Sequence, residues 1–195
     1  MEITWHKDTC FTIKGKKVSV VTDPIKDAST LKGEIVLTGI ADPAEVTNCV
    51  KVFDWPGEYE IQDVPISAFQ AWTGSKSDEE FSGDETLIFC FSVDDIRFCH
   101  LGNLGHSLTS EMVNEIGDVD VLMIKIGEGS NLSKKKALDI IEAIDPRLVI
   151  PMGGNGLVGA LNEMGIEGAE QVDKLYIKKE SDLPVDKMRY VVLSS

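Results

Sequence analysis

A gapless internal echo constrains this chain more than any other feature. Residues 11–23 (Phe-Thr-Ile-Lys-Gly-Lys-Lys-Val-Ser-Val-Val-Thr-Asp) lie over residues 91–103 (Phe-Ser-Val-Asp-Asp-Ile-Arg-Phe-Cys-His-Leu-Gly-Asn) at a constant offset of 80. Each stretch reads as two strands around a turn, ending on a polar residue. Downstream of each copy comes a second similarity, Gly33-Glu34-Ile35-Val36-Leu37 against Gly117-Asp118-Val119-Asp120-Val121-Leu122. A β-rich unit present twice predicts two sheets packed face to face, with helices outside.

Local patterns fill in that frame. Thr22-Asp23-Pro24 ends a strand, because proline cannot continue a ladder. Further strands are predicted over residues 34–38, 59–61 and 64–66, the last two joined by a turn at Gln62-Asp63. Residues 73–84, rich in glycine, serine and acids, read as a surface loop. The second half alternates strands with helices. Hydroxyls at residues 107–110 cap one helix, and Ser133 caps another whose Ala137, Ile140, Ile141 and Ile144 form an apolar face up to Asp145-Pro146. Strands are expected near 120–124 and 147–151, a third helix over 156–164, and two late strands near 175–178 and 188–193.

At 195 residues one domain over residues 1–195 is expected, large enough to bury roughly 70% of its unfolded surface without a disulfide or structural metal. A net charge of −14 repels phosphate backbones, so nucleic acid is a poor partner. The one basic cluster, Lys134-Lys135-Lys136, reads as a solvated helix face. No apolar run approaches a membrane span and the start shows no signal-peptide pattern, so the expected location is the cytoplasm, with no membrane partner. Cys10, Cys49, Cys90 and Cys99 form no C-x-x-C pair; three of them sit in strand-like runs and read as buried thiols.

Several segments together resemble a known family. Trp5-His6 before Phe11-Thr12-Ile13, then Val20-Val21-Thr22-Asp23-Pro24, resembles the opening of metallo-β-lactamase-fold hydrolases. Pro56-Gly57-Glu58-Tyr59-Glu60 and His100-Leu101-Gly102-Asn103-Leu104-Gly105-His106 resemble motifs of its small bacterial zinc-dependent branch, related to ascorbate-6-phosphate lactonases. The resemblance implies a four-layer αββα sandwich, two mixed sheets packed face to face with helices outside. It also implies a metal site, and there the sequence departs. Where the family carries three histidines and an aspartate, this chain has Gly39, Ala41, Ala44 and Pro43. Its bridging aspartate is Asn103, and its late histidine is Gly153. Catalytic zinc needs about three protein ligands to lower the pKa of a bound water to about 7.

With three histidines in the whole chain, the remaining candidates are few. His100, His106, Glu58 and Asp23 are weak candidates for a rebuilt site; His6 reads as structural. Glu58 and Glu60 alternate onto one solvated strand face. Gly153-Gly154-Asn155-Gly156 lacks the residues of a phosphate loop and reads as a turn. Trp55 and Trp72 are expected to fill the emptied cleft. The leading expectation is a catalytically degenerate domain with a binding or assembly role, with no cofactor and a homo-oligomeric or protein partner. The alternative is a divergent metal-dependent hydrolase using zinc or manganese around His100 and His106.

Overall fold

A computed structural model describes residues 1–26, 30–75 and 80–194. In chain order the strands are β1 (Glu2–Trp5), β2 (Phe11–Lys14), β3 (Ser19–Thr22), β4 (Ile35–Leu37), β5 (Lys51–Phe53), β6 (Gly57–Ile61), β7 (Val64–Ser75), β8 (Phe81–Val93) and β9 (Ile96–His100). Then come α1 (Ser110–Ile116), β10 (Val121–Lys125), α2 (Lys134–Ile144), β11 (Leu148–Met152), α3 (Leu157–Glu163), β12 (Glu170–Val172), β13 (Leu175–Tyr176) and β14 (Arg189–Leu193). They form two mixed sheets, a six-stranded one ordered β13-β1-β2-β3-β4-β5 and an eight-stranded one ordered β12-β14-β11-β10-β9-β8-β7-β6.

The internal echo is a repeat of ladders. β2 and β3 pair antiparallel, then β4 and β5 add in parallel. β8 and β9 pair antiparallel, then β10 and β11 add in parallel. The two hairpins belong to different sheets and meet at their turns. The Lys16 N–H donates to both Asp94 carboxylate oxygens at 3.1 Å, and a Cβ on Gly15 would lie 2.5 Å from Val93.

Parallel neighbours need crossovers, and α1 and α2 supply them between β9, β10 and β11. α2 is capped by the Ser133 hydroxyl, which accepts from the Lys136 N–H, and ends at Asp145 in the left-handed conformation. Its buried face is Ala137, Ile140, Ile141 and Ile144, as the periodicity predicts. The main core joins Phe11, Ile13 and Val20 of one sheet with Phe89, Phe91 and Phe98 of the other. A smaller cluster of Cys10, Val21, Leu31 and Val36 lies apart from it, covered by Ile25, Val46 and Cys49 from connecting segments.

Some expectations need correction. Where residues 73–84 are described they are largely strand: β7 runs to Ser75 and β8 starts at Phe81, with Gly74 paired to Ser82 and Ser75 to Phe81, so backbone pairing continues through the polar composition, while residues 76–79 lie outside the described residues. β1, β5 and β12 were not anticipated; each has four residues or fewer and owes its place to a neighbouring strand. Trp55 is 71% exposed and fills nothing, whereas Trp72 stacks on Phe81 at 4.9 Å between ring centroids. Among the described residues no helix is long and apolar enough to cross a membrane.

Candidate functional site

β9 ends at His100, and the chain turns through Leu101-Gly102-Asn103-Leu104-Gly105-His106. The glycines let this turn press against the long hairpin. A Cβ at Gly105 would lie 1.8 Å from the Thr73 carbonyl oxygen, and the Gly105 N–H donates to the Trp72 carbonyl at 2.9 Å. Gly102 has φ +54°, and a Cβ there would lie 2.7 Å from the Leu87 carbonyl oxygen. His106 is thereby placed under Trp72 and Phe81, its ring 4.1 Å from that of Phe81. Its Nε2 accepts from the Trp72 N–H at 3.2 Å, so Nδ1 carries the proton and donates to the Ser107 carbonyl at 2.9 Å. Neither nitrogen is left for a metal, and burial pushes its pKa below the usual 6.5.

His100 is fully buried. Its Nε2–H donates to the Thr9 carbonyl at 2.9 Å, which leaves Nδ1 as an unpartnered acceptor. Asp23, 1% exposed and at φ +37°, accepts at Oδ1 from the Gly39 N–H at 2.8 Å, while Oδ2 has no partner. Burial raises the Asp23 carboxyl and lowers the His100 imidazole; their mutual attraction opposes both shifts only in part. For both groups burial works against the charged form. Glu58 points to solvent from β6, where Tyr59 packs on Phe53 at 4.7 Å and donates to the Trp55 carbonyl at 3.1 Å. The four sequence candidates thus lie in three different surroundings.

An open cleft lies between the two sheets at the carboxyl ends of β10 and β11, a common place for a site in parallel sheets. Its volume is about 760 Å³, and Trp5, Lys7, Asp8, Lys125, Glu128 and Asn155 are among its walls. Trp5 at the end of β1 donates from Nε1 to the Asp8 carbonyl at 2.9 Å, and Asp8, at φ +48°, bridges to Gly153 beyond β11. Lys125, the last residue of β10, is only 9% exposed. Its Nζ lies 2.6 Å from the Asp8 carboxylate and donates to Asn103 Oδ1 at 2.9 Å. Neither Lys125 nor Asp8 was singled out from the sequence. The available signal was a charged residue closing an otherwise apolar strand, Val121-Leu122-Met123-Ile124-Lys125.

The fold implies a metal ion, and the donor set can be tested against it. A Cβ at Gly39 would lie 2.6 Å from the Leu87 nitrogen, so no imidazole enters there without moving β8. At Gly153, with φ +130°, a Cβ would lie 3.0 Å from the Ile126 carbonyl oxygen and 3.2 Å from Lys125 Cγ. Among the described residues no three His, Cys, Asp or Glu side chains gather as metal ligands. The residues present do not fit the metal at these positions.

Residues 2–153 match the family described as the β-lactamase superfamily domain. This chain belongs to that superfamily. It is 41% identical over 183 residues to a UPF0173 protein of Pyrococcus furiosus, covering 78% of this chain and 82% of the relative. A UPF0173 protein of Pyrococcus abyssi is 28% identical, over 84% of this chain and 90% of its own length. A UPF0173 metal-dependent hydrolase of Thermococcus onnurineus is 29% identical, with 51% of this chain covering 44% of the relative. In fold, the chain superposes with a TM-score of 0.79 on a Thermotoga maritima protein provisionally named a Zn-dependent hydrolase of the metallo-β-lactamase superfamily, at 24% identity over 99% and 98% of the two chains. The sandwich expected from the resemblance is thus the observed superfamily fold. The expected role does not stand. The missing histidines point to a catalytically degenerate binding or assembly domain, whereas relatives from Thermococcus onnurineus and Methanopyrus kandleri are named metal-dependent hydrolases.

Proposed function

We propose that this chain is a divergent hydrolase of the superfamily, working in the cleft between Asp8, Lys125 and Glu128. The observation that carries the reading is the place of that cleft in a chain several of whose relatives are named metal-dependent hydrolases: it opens beside Gly153 and Lys125, and Lys125 Nζ in turn holds Asn103. Two further facts support it. Asp8 and Glu128 are two acidic residues among the walls of one cavity, and a carboxylate within reach of a bound water can take its proton as the water attacks. Trp5 gives the cavity an apolar wall against which the organic part of a substrate can pack. Metal dependence is a property in the names of the relatives, and no step here is routed through a metal. The strong negative charge argues against nucleic acid as substrate, and the proposed setting is the cytoplasm.

The test is turnover of a panel of lactones, carboxylic esters and phosphodiesters, run on chelator-treated protein and again with added zinc or manganese. Hydrolysis of at least one class is expected, falling at least tenfold in Asp8→Asn or Glu128→Gln. Absence of turnover under both conditions overturns the reading.

A further inference from the structure

We infer that the ammonium of Lys125 is the resident cation of the cleft, held in the place where the fold family would bind a metal ion. The inference deepens the hydrolase reading and rests on it only for why a positive charge is wanted there. Four observations carry it. The ammonium is nearly buried at the carboxyl end of β10, where charge without partners is costly. It has partners: the Asp8 carboxylate at 2.6 Å and Asn103 Oδ1 at 2.9 Å. A lysine carries three donors and no acceptor, so two are engaged and a third N–H is left for a ligand oxygen. Finally, the lysine stem fills the space beside Gly153, since a Cβ on that glycine would lie 3.2 Å from Lys125 Cγ.

These residues are consistent with one another. A single positive charge is balanced by one carboxylate, Asp8, and a neutral amide satisfies it at position 103 without adding a second negative charge. A divalent ion beside the same ammonium would meet like charge at close range. Glycine at 153 is what makes room for the lysine. The chemistry this leaves is that of a fixed hydrogen-bond donor bearing charge, suited to a carbonyl or carboxylate oxygen of the substrate.

The test is metal binding, read by calorimetry and thermal unfolding on chelator-stripped protein with zinc chloride and with manganese chloride. Wild type is compared with Lys125→Ala/Asn103→Asp, which removes the ammonium and supplies a second carboxylate. Metal at a hundredfold excess over Kd is expected to raise the unfolding midpoint of the double variant by roughly 5 °C more than that of wild type. An equal or larger rise in wild type overturns the inference. Should the double variant not fold, the side-chain ammonium resonance of wild-type Lys125, assigned by its loss in Lys125→Arg, decides. It is expected to be unmoved by one equivalent of zinc, and displacement of it overturns the inference. Neither readout is activity, so an inert protein in the substrate panel leaves this result standing, and the reverse holds equally.

Discussion

A methyl group at Gly105 would sit 1.8 Å from the Thr73 carbonyl oxygen, closer than any contact can be. Gly105→Ala must push the turn after β9 away from the long hairpin and break the hydrogen bond to Trp72. We expect a loss of about 3 kcal/mol in urea unfolding. Asp23 offers a sharper contrast. Its Oδ1 satisfies the Gly39 N–H, and burial raises the pKa of its carboxyl. Asp23→Asn keeps an acceptor of the same shape and should cost less than about 1 kcal/mol, whereas Asp23→Ala strands the half-buried Gly39 N–H and should cost about 2 kcal/mol. Equal losses in the two variants would show that the charge, not the acceptor, matters at this position.

At the scale of elements, local chemistry sets the ends of the helices. The Ser133 hydroxyl accepts from the Lys136 N–H at 3.2 Å, and Ser133→Ala should destabilise the protein by about 1 kcal/mol. Asp145 closes α2 at φ +49°, a conformation glycine adopts without strain. Asp145→Gly is therefore expected to leave the thermal midpoint unchanged or raise it, unlike most substitutions at a helix end. These elements were legible in the sequence because their signals are local: a hydroxyl before an apolar stripe, Asp-Pro after it, and Gln62-Asp63 and Asp94-Asp95 at positive φ in hairpin turns. β5 and β12 were not legible. Lys51-Val52-Phe53 and Glu170-Gln171-Val172 are mostly exposed three-residue pieces, and only pairing with β4 and β14 makes them strands.

For the whole molecule, burial lowers the pKa of His6, His100 and His106 below the usual 6.5. Below pH 6.5 the unfolded chain therefore binds protons that the folded chain refuses, and stability must fall as pH falls through that window. Asp23 acts with the opposite sign. Its raised pKa makes the folded chain the better proton binder above 3.8, so its contribution weakens as pH rises from there. Urea midpoints from pH 7.5 to 5.5 should therefore decline as the unfolded chain takes up protons at these three positions. A flat profile in wild type would contradict the assignment of the buried imidazoles.

By itself the sequence determined the two-copy β architecture, the helical second half with its caps, and the departure of Gly39, Ala41, Pro43, Ala44, Asn103 and Gly153 from the family's ligand pattern. Each of these is carried by neighbours in the chain, through period, turn chemistry or residue identity. The tertiary structure alone decided which polar residues share a space. Asp8 comes from the loop after β1, Asn103 from the turn after β9 and Lys125 from the end of β10, and they meet only because the two sheets close on one another there. His100, His106, Glu58 and Asp23 look alike on paper as donors, yet packing assigns two to the interior, one to an aromatic stack and one to solvent. Burial and partnership are properties of three-dimensional neighbours, and these residues acquire theirs from strands far away in sequence.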